Sequence, residues 1–305
     1  MADVVNHRTS ALAKTHIRLL QNLEDLKANI ALFNTQKMKI HEQHRSITSS
    51  INYTKNIQSN IFPAIEVMQK SFSDIFLLFK PKDIISGDIY YFREVGNKII
   101  LAAIDCSENG VAGAFTSIIS HKLLNEIIDN QHITEPAEIL KFLHINTMKL
   151  MGDAASDSGT GMDIALIVMD TEKKELKFAG AKSPLVYMIN GTVGTISGSN
   201  AHIGGTERKE ATTFSQTAIN LPQNEDFSFY LFTDGYQDQF GGEENKKLMR
   251  KNFLDLLHQA HRLPMVEQGK FLEECHEVWK GDTSQTDDIL VMGVRLSKQI
   301  KVNMG

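Results

Sequence analysis

The stretch Ser86-Gly87-Asp88-Ile89-Tyr90-Tyr91-Phe92 reads as a short β-strand with a carboxylate standing at its mouth. Ile, Tyr and Phe suit a pleated, half-buried surface, and a Gly beside the Asp lets backbone or ligand approach closely. The device recurs. Ile99 to Ile104 is wholly apolar and stops at Asp105-Cys106-Ser107; Phe229-Tyr230-Leu231-Phe232 stops at Thr233-Asp234-Gly235; Asp287-Asp288 opens Ile289-Leu290-Val291-Met292. A single strand-end Asp is a common turn former. Several at the strand ends of one sheet system can converge, and ionised carboxylates brought together repel unless cations lie between them. All-oxygen ligands select hard ions, Mg²⁺ or Mn²⁺. Two such ions about 3.5–4 Å apart activate a water for in-line displacement at a phosphoryl group.

Outward from these acids, the chain after Pro63 alternates short strands and helices. Strands are expected at 75–79, 89–93, 98–104, 164–170, 176–181, 185–189, 227–233 and 289–296, each rich in β-branched or aromatic residues and bounded by turn formers. Helical spacing of apolar residues fills 111–128, 137–150 and 248–261. Asn190-Gly191 is a hairpin signal. Consecutive strands without helices between them predict antiparallel sheets with helices layered outside, an α/β (α+β) sandwich rather than a doubly wound parallel sheet.

The first 62 residues differ in kind. Gly is absent before Gly87 and Pro before Pro63, so nothing interrupts a helix. Leu19, Leu23, Leu26, Ile30, Phe33, Ile40, Ile47 and Ile51 lie on one seam, with Lys37 and His44 at the remaining positions. Steps of three and four average 3.5 residues, the repeat of a left-handed coiled coil. The expectation is a coiled-coil dimerisation and linker helix over 1–62, pairing two parallel copies, and a catalytic domain over 63–299.

Composition narrows the function. The 305 residues carry a formal net charge of −5, which offers no basic field for nucleic acid. Two cysteines, Cys106 and Cys275, make no disulfide framework and fit a reducing compartment. Apolar runs such as 99–104 span six residues, far short of the about 20 a membrane helix needs. A cytoplasmic protein without membrane association is expected. There is neither an H-E-x-x-H motif nor a visible Ser-His-Asp or Cys-His arrangement. Lys246-Lys247 reads as an exposed helix start, Trp279 as a packing anchor, Cys106 as a small strand-end filler, and Asp163 as a turn or loop anchor.

The stretch from Phe79 to Tyr90 (Phe-Lys-Pro-Lys-Asp-Ile-Ile-Ser-Gly-Asp-Ile-Tyr) resembles the opening of the bacterial PPM (PP2C-like) serine/threonine phosphatases of the SpoIIE and RsbU type. Gly161-Met162-Asp163-Ile164-Ala165-Leu166, Phe178-Ala179-Gly180-Ala181, Leu231-Phe232-Thr233-Asp234-Gly235 and Thr286-Asp287-Asp288-Ile289-Leu290-Val291 continue the likeness in order. It implies a PP2C-like α-β-β-α sandwich with a two-metal site, Mn²⁺ or Mg²⁺, at one end of the sheets. By this likeness Asp88 bridges both ions. Asp105 and the backbone carbonyl of Cys106 hold one, and Asp234 and Asp287 hold the other. A metal-activated water then hydrolyses phosphoserine or phosphothreonine. The implied substrate is a phosphorylated partner-switching protein of the STAS (anti-anti-sigma) class, and an upstream sensor acts through the N-terminal helix. One departure stands out: the family usually carries Gly-His-Gly after the second acid, where this chain has Glu108-Asn109-Gly110. The alternative it opens is a catalytically weak or inactive PP2C-like binding or regulatory module.

Overall fold

The computed structural model describes residues 1–72, 74–108, 110–151, 161–204, 212–222 and 224–296, so Asn109 lies outside the described residues. The chain divides into two compact units, Met1–Tyr53 and Thr54–Gly305. A single uninterrupted helix, α1 (Ala2–Ile61), makes up the first unit and supplies the first residues of the second. In the first unit the seam remains uncovered: Leu19, Leu26, Phe33 and Ile40 are 57%, 55%, 64% and 64% exposed. No helix among the described residues is long and apolar enough to cross a membrane.

In the second unit a short helix, α2 (Ile65–Ser71), leads into two five-stranded antiparallel sheets. One runs β1 (Asp74–Lys80), β12 (Ile289–Leu296), β9 (Phe227–Phe232), β6 (Leu185–Ile189), β7 (Thr192–Ile196). The other runs β2 (Ile89–Val95), β3 (Lys98–Cys106), β4 (Met162–Asp170), β5 (Glu175–Ala181), β8 (Thr217–Asn220). Side chains alternate faces along a strand, so each sheet has an inner and an outer row. Inner residues of both sheets, among them Tyr90, Leu101, Ala103, Ala165, Ile167, Phe229, Leu231, Leu290 and Met292, form one buried layer between them. Outer rows bury against α3 (Gly110–Asn125) and α4 (Pro136–Met151) on one side. On the other side they bury against α6 (Arg250–Ala260) and α7 (Met265–Lys280). The α-β-β-α sandwich is the expected architecture.

Details depart from the sequence reading for local reasons. The expected 111–128 helix becomes α3 followed by a π-helical turn, Glu126–Asn130, which keeps Ile127 and Ile128 buried. The 248–261 helix starts at Arg250, because Met249 sits at φ +72° and cannot be helical. Lys246-Lys247 does not begin a helix; it is the short strand β11, paired with Phe240–Gly241 (β10). Helix α7 was not expected, since two of its four buried residues, Gln268 and His276, are polar and mask the apolar period.

Candidate active site

Strand parity aims the acids. Asp88, two residues before inner-row Tyr90, and Asp105, two after Ala103, project from the same face of the β2–β3 pair into the space between the sheets. Across that space, β9 runs out into Thr233-Asp234 and the one-turn helix α5 (Gly235–Asp238), while Asp287-Asp288 leads into β12. Antiparallel pairing puts the start of β2 beside the end of β3 and the end of β9 beside the start of β12, and a Thr233–Asp88 contact brings both ends together at one end of the sandwich. Thr233 Oγ1 donates to Asp88 Oδ2 at 2.6 Å, tying the two sheets together at the deepest acid. Asp234 and Asp105 lie close enough across the two sheets for each to act on the other's titration.

Close approach demands glycine at two points. A Cβ on Gly87 would lie 2.8 Å from the carbonyl oxygen of Glu108 and 3.1 Å from that of Cys106, so the Cys106 carbonyl faces the Asp88 loop. A Cβ on Gly235 would lie 1.8 Å from the Asp288 carbonyl oxygen.

The mouth also depends on residues to which sequence reading gave no part in the site. Asp288, 4% exposed, accepts from Lys82 N and Gly87 N, both at 2.7 Å, and so clamps the loop that delivers Asp88. Gln239, fully buried, follows α5. Its Nε2 donates to Ser284 O at 3.0 Å and its Oε1 accepts from Thr286 N at 3.0 Å. Gln285 Nε2 donates to Lys80 O and Asp287 O, both at 2.8 Å. Trp279 Nε1 donates to Gln239 O at 3.0 Å, so the expected packing anchor also steadies this network. From the last turns of α1, within the second unit, buried Gln58 brackets Ser86. Its Nε2 donates to Ser86 O at 2.6 Å and to Ser117 Oγ of α3 at 2.9 Å, and its Oε1 accepts from Ser86 N at 3.2 Å. Buried glutamines of this kind have no sequence signal; a Gln reads as surface.

Electrostatics mark the cluster. Asp88, 2% exposed, is held well above the ordinary carboxylate range by burial and then by repulsion from Asp105; the Thr233 hydrogen bond opposes the rise. Burial, then repulsion from Asp234 and Asp287, lifts Asp105 likewise. Asp234 rises through burial and the nearby Asp238 and Asp287, and Asp287 through burial, against the Asp288 N–H it accepts. Asp163 contributes further repulsion to Asp105 and Asp234, and its carboxylate is bonded to His202. Cys106 is buried and its thiol is pushed up by burial and these acids, which makes it a poor nucleophile.

Among the described residues no group of three or more His, Cys, Asp or Glu is closed into a metal-holding cage. The donor chemistry nevertheless suits a hard divalent cation. Carboxylates from both sheets act on a nearly inaccessible Asp88, and an all-oxygen donor set of this kind is what hard divalent ions prefer.

The fold is that of a PP2C-like phosphatase domain. The chain belongs to the SpoIIE family: the family model of Stage II sporulation protein E (SpoIIE) matches residues 96–297. The SiaA PP2C domain of Pseudomonas aeruginosa is 28% identical with a TM-score of 0.75, over 83% of this chain and 98% of that one. The PP2C domain and regulatory fragment of SpoIIE from Bacillus subtilis is 21% identical with a TM-score of 0.56, over 73% of this chain and 61% of that one. The RsbU and RsbW domains of Rv1364c from Mycobacterium tuberculosis give 18% and 0.54, over 73% and 59%. No curated protein matches the sequence.

Proposed function

We propose that this protein is a cytoplasmic metal-dependent serine/threonine phosphatase that removes phosphate from phosphoserine on a small STAS-type partner-switching protein. The observation that carries this reading is the convergence of Asp88 and Asp105 from one sheet with Asp234 and Asp287 from the other, in a buried, mutually repelling cluster. Asp88, Asp105, the Cys106 carbonyl, Asp234 and Asp287 are the groups that would hold two ions, Mn²⁺ or Mg²⁺, with Asp88 deepest among them. When bound, the ions supply an activated water and neutralise charge on the phosphoryl oxygens. The chain's part is to present these oxygens in fixed directions. Thr233 orients the Asp88 carboxylate, Asp288 fixes the loop before it, and Gln239 and Gln285 set the Asp287 loop. The substrate class rests on the likeness to SpoIIE- and RsbU-type phosphatases.

A phosphatase assay tests the reading. With Mn²⁺ the intact chain should hydrolyse p-nitrophenyl phosphate and a phosphorylated STAS-domain protein, and Asp88→Asn should lower the rate by about 10³-fold or more. Equal rates in the two proteins would refute it.

We also propose that α1 pairs two copies in parallel through its exposed seam, which covers apolar side chains that the folded chain leaves in water. Sedimentation equilibrium should give a dimer for the intact chain and a monomer after removal of residues 1–50. A monomeric intact chain would contradict it.

A further inference from the structure

The first residues of β4 lie in the middle of a three-segment rung. Met162 pairs with Cys106 of β3 on one edge and with Ile203 on the other, where Met162 N donates to Ile203 O and Ile203 N to Met162 O, each at 2.9 Å. The next rung therefore sets Asp105, Asp163 and His202 side by side across three adjacent segments. Neighbouring segments stand about 4.8 Å apart, so the backbone of His202 is roughly 10 Å from that of Asp105. The His202 ring bonds through Nδ1 to Asp163 Oδ1, which turns it along the rung toward the acid cluster.

The placement is built, not incidental. Ile203 is fully buried, and Gly204 N donates to Nδ1 of buried His144 at 3.1 Å, fixing the backbone on the other side of the histidine. The side chain of His202 is 50% exposed and that of Asp163 31%, which puts the pair at the open rim rather than the floor of the mouth. Lys182, at the end of β5, is the cation that acts on Asp163 together with His202. With Nδ1 occupied by the carboxylate, Nε2 is the nitrogen left to meet a ligand.

Resting on the phosphatase reading above, we infer that His202, oriented by Asp163, is the general acid that protonates the leaving serine. Hydrolysis of phosphoserine expels an alkoxide, a poor leaving group unless a proton arrives as the P–O bond breaks. The balance is simple. As the water oxygen bonds to phosphorus, the P–Oγ bond breaks and the Nε2 proton passes to serine Oγ. The imidazole ends neutral, still donating Nδ1–H to Asp163, and the proton shed by the attacking water restores Nε2–H. Asp163 holds the direction of the ring throughout.

The rival reading is a clasp that merely fixes the backbone at Ile203 and Gly204. Leaving-group dependence separates the two, because p-nitrophenolate departs without a proton and serine does not. His202→Gln retains an amide that can bond to Asp163 but donates no acidic proton. It should cost about 10²-fold in kcat on a phosphoserine peptide and about threefold on p-nitrophenyl phosphate, the size of a lost general acid and no more. Asp163→Asn, which keeps the shape of the pair, should show the same selectivity more weakly and provides the test if the first variant misfolds. Equal losses on both substrates, or none on the peptide, overturn the assignment. An unaltered chain that hydrolyses neither substrate removes the phosphatase reading and the assignment with it.

Discussion

The two halves of the acid mouth are held by different means. On the β2–β3 side, Asp88 and Asp105 sit at the ends of strands whose ladders run in register for seven residue pairs, so the backbone does most of the aiming, with Thr233 and Asp288 fixing Asp88 further. On the β9–β12 side, Asp234 and Asp287 lie just beyond the strand ends, and side-chain amides do the aiming: Gln239 grips Ser284 and Thr286, and Gln285 grips Asp287 and Lys80. A ladder is insensitive to any one side chain, whereas a buried amide network fails when one member is removed. The first half should thus set whether the chemistry runs, and the second how tightly the ions are held.

Replacing one residue in each scheme, an acid in the first and an amide in the second, breaks this contrast most sharply. Asp105→Asn should cut kcat about 10³-fold, without recovery at high Mn²⁺, because the ladder stays and only the ligand is lost. Gln239→Ala should instead weaken Mn²⁺ binding about 10–100-fold, as supporting residues around metal ligands do, while kcat recovers at saturating metal. A Gln239→Ala enzyme with normal Mn²⁺ dependence would show that the amides serve only stability.

A smaller effect follows from titration. Each of Asp88, Asp105, Asp234 and Asp287 has its pKa raised, by burial foremost. A carboxyl of this sort binds its proton more tightly when folded. Its stabilising contribution is complete below the unfolded value of about 4 and is lost as the pH rises through the folded value. The metal-free chain should therefore lose thermal stability as the pH climbs from about 4, and Mn²⁺ should restore it by pairing with the ionised acids. His276 works in the opposite sense. Burial, then Lys80, lowers its pKa to about 4, so the stability it gives the neutral ring is lost as the pH falls from its unfolded value of about 6.5 toward that value. The difference in melting temperature with and without Mn²⁺ cancels His276 and isolates the acids. A difference that does not grow with pH would break the account of the mouth.

Much of this was legible beforehand for one physical reason. Side chains alternate with a period of two, so an Asp at either end of an apolar strand announces its face and its end of the sheet, and Asp88 and Asp105 follow directly. Asp288 was visible only as a neighbour of Asp287; that it clamps Lys82 and Gly87 depends on a pairing 201–206 positions away. Gln58 and Gln239, buried, and Gln285, half-buried, carried no signal, because a polar residue is placed by the hydrogen bonds it finds and not by its own hydropathy. His202 was equally silent: its meaning arises from standing beside Asp163 on a rung that closes 39 residues of chain. Helix α7 was hidden by Gln268 and His276 on its buried stripe.

The most direct test of the central claim is a calorimetric titration of the intact chain with Mn²⁺. The account predicts two ions bound per chain, with Asp88→Asn disabling both sites because its carboxylate would serve both. No uptake by the unaltered chain, or uptake that Asp88→Asn leaves intact, would contradict it.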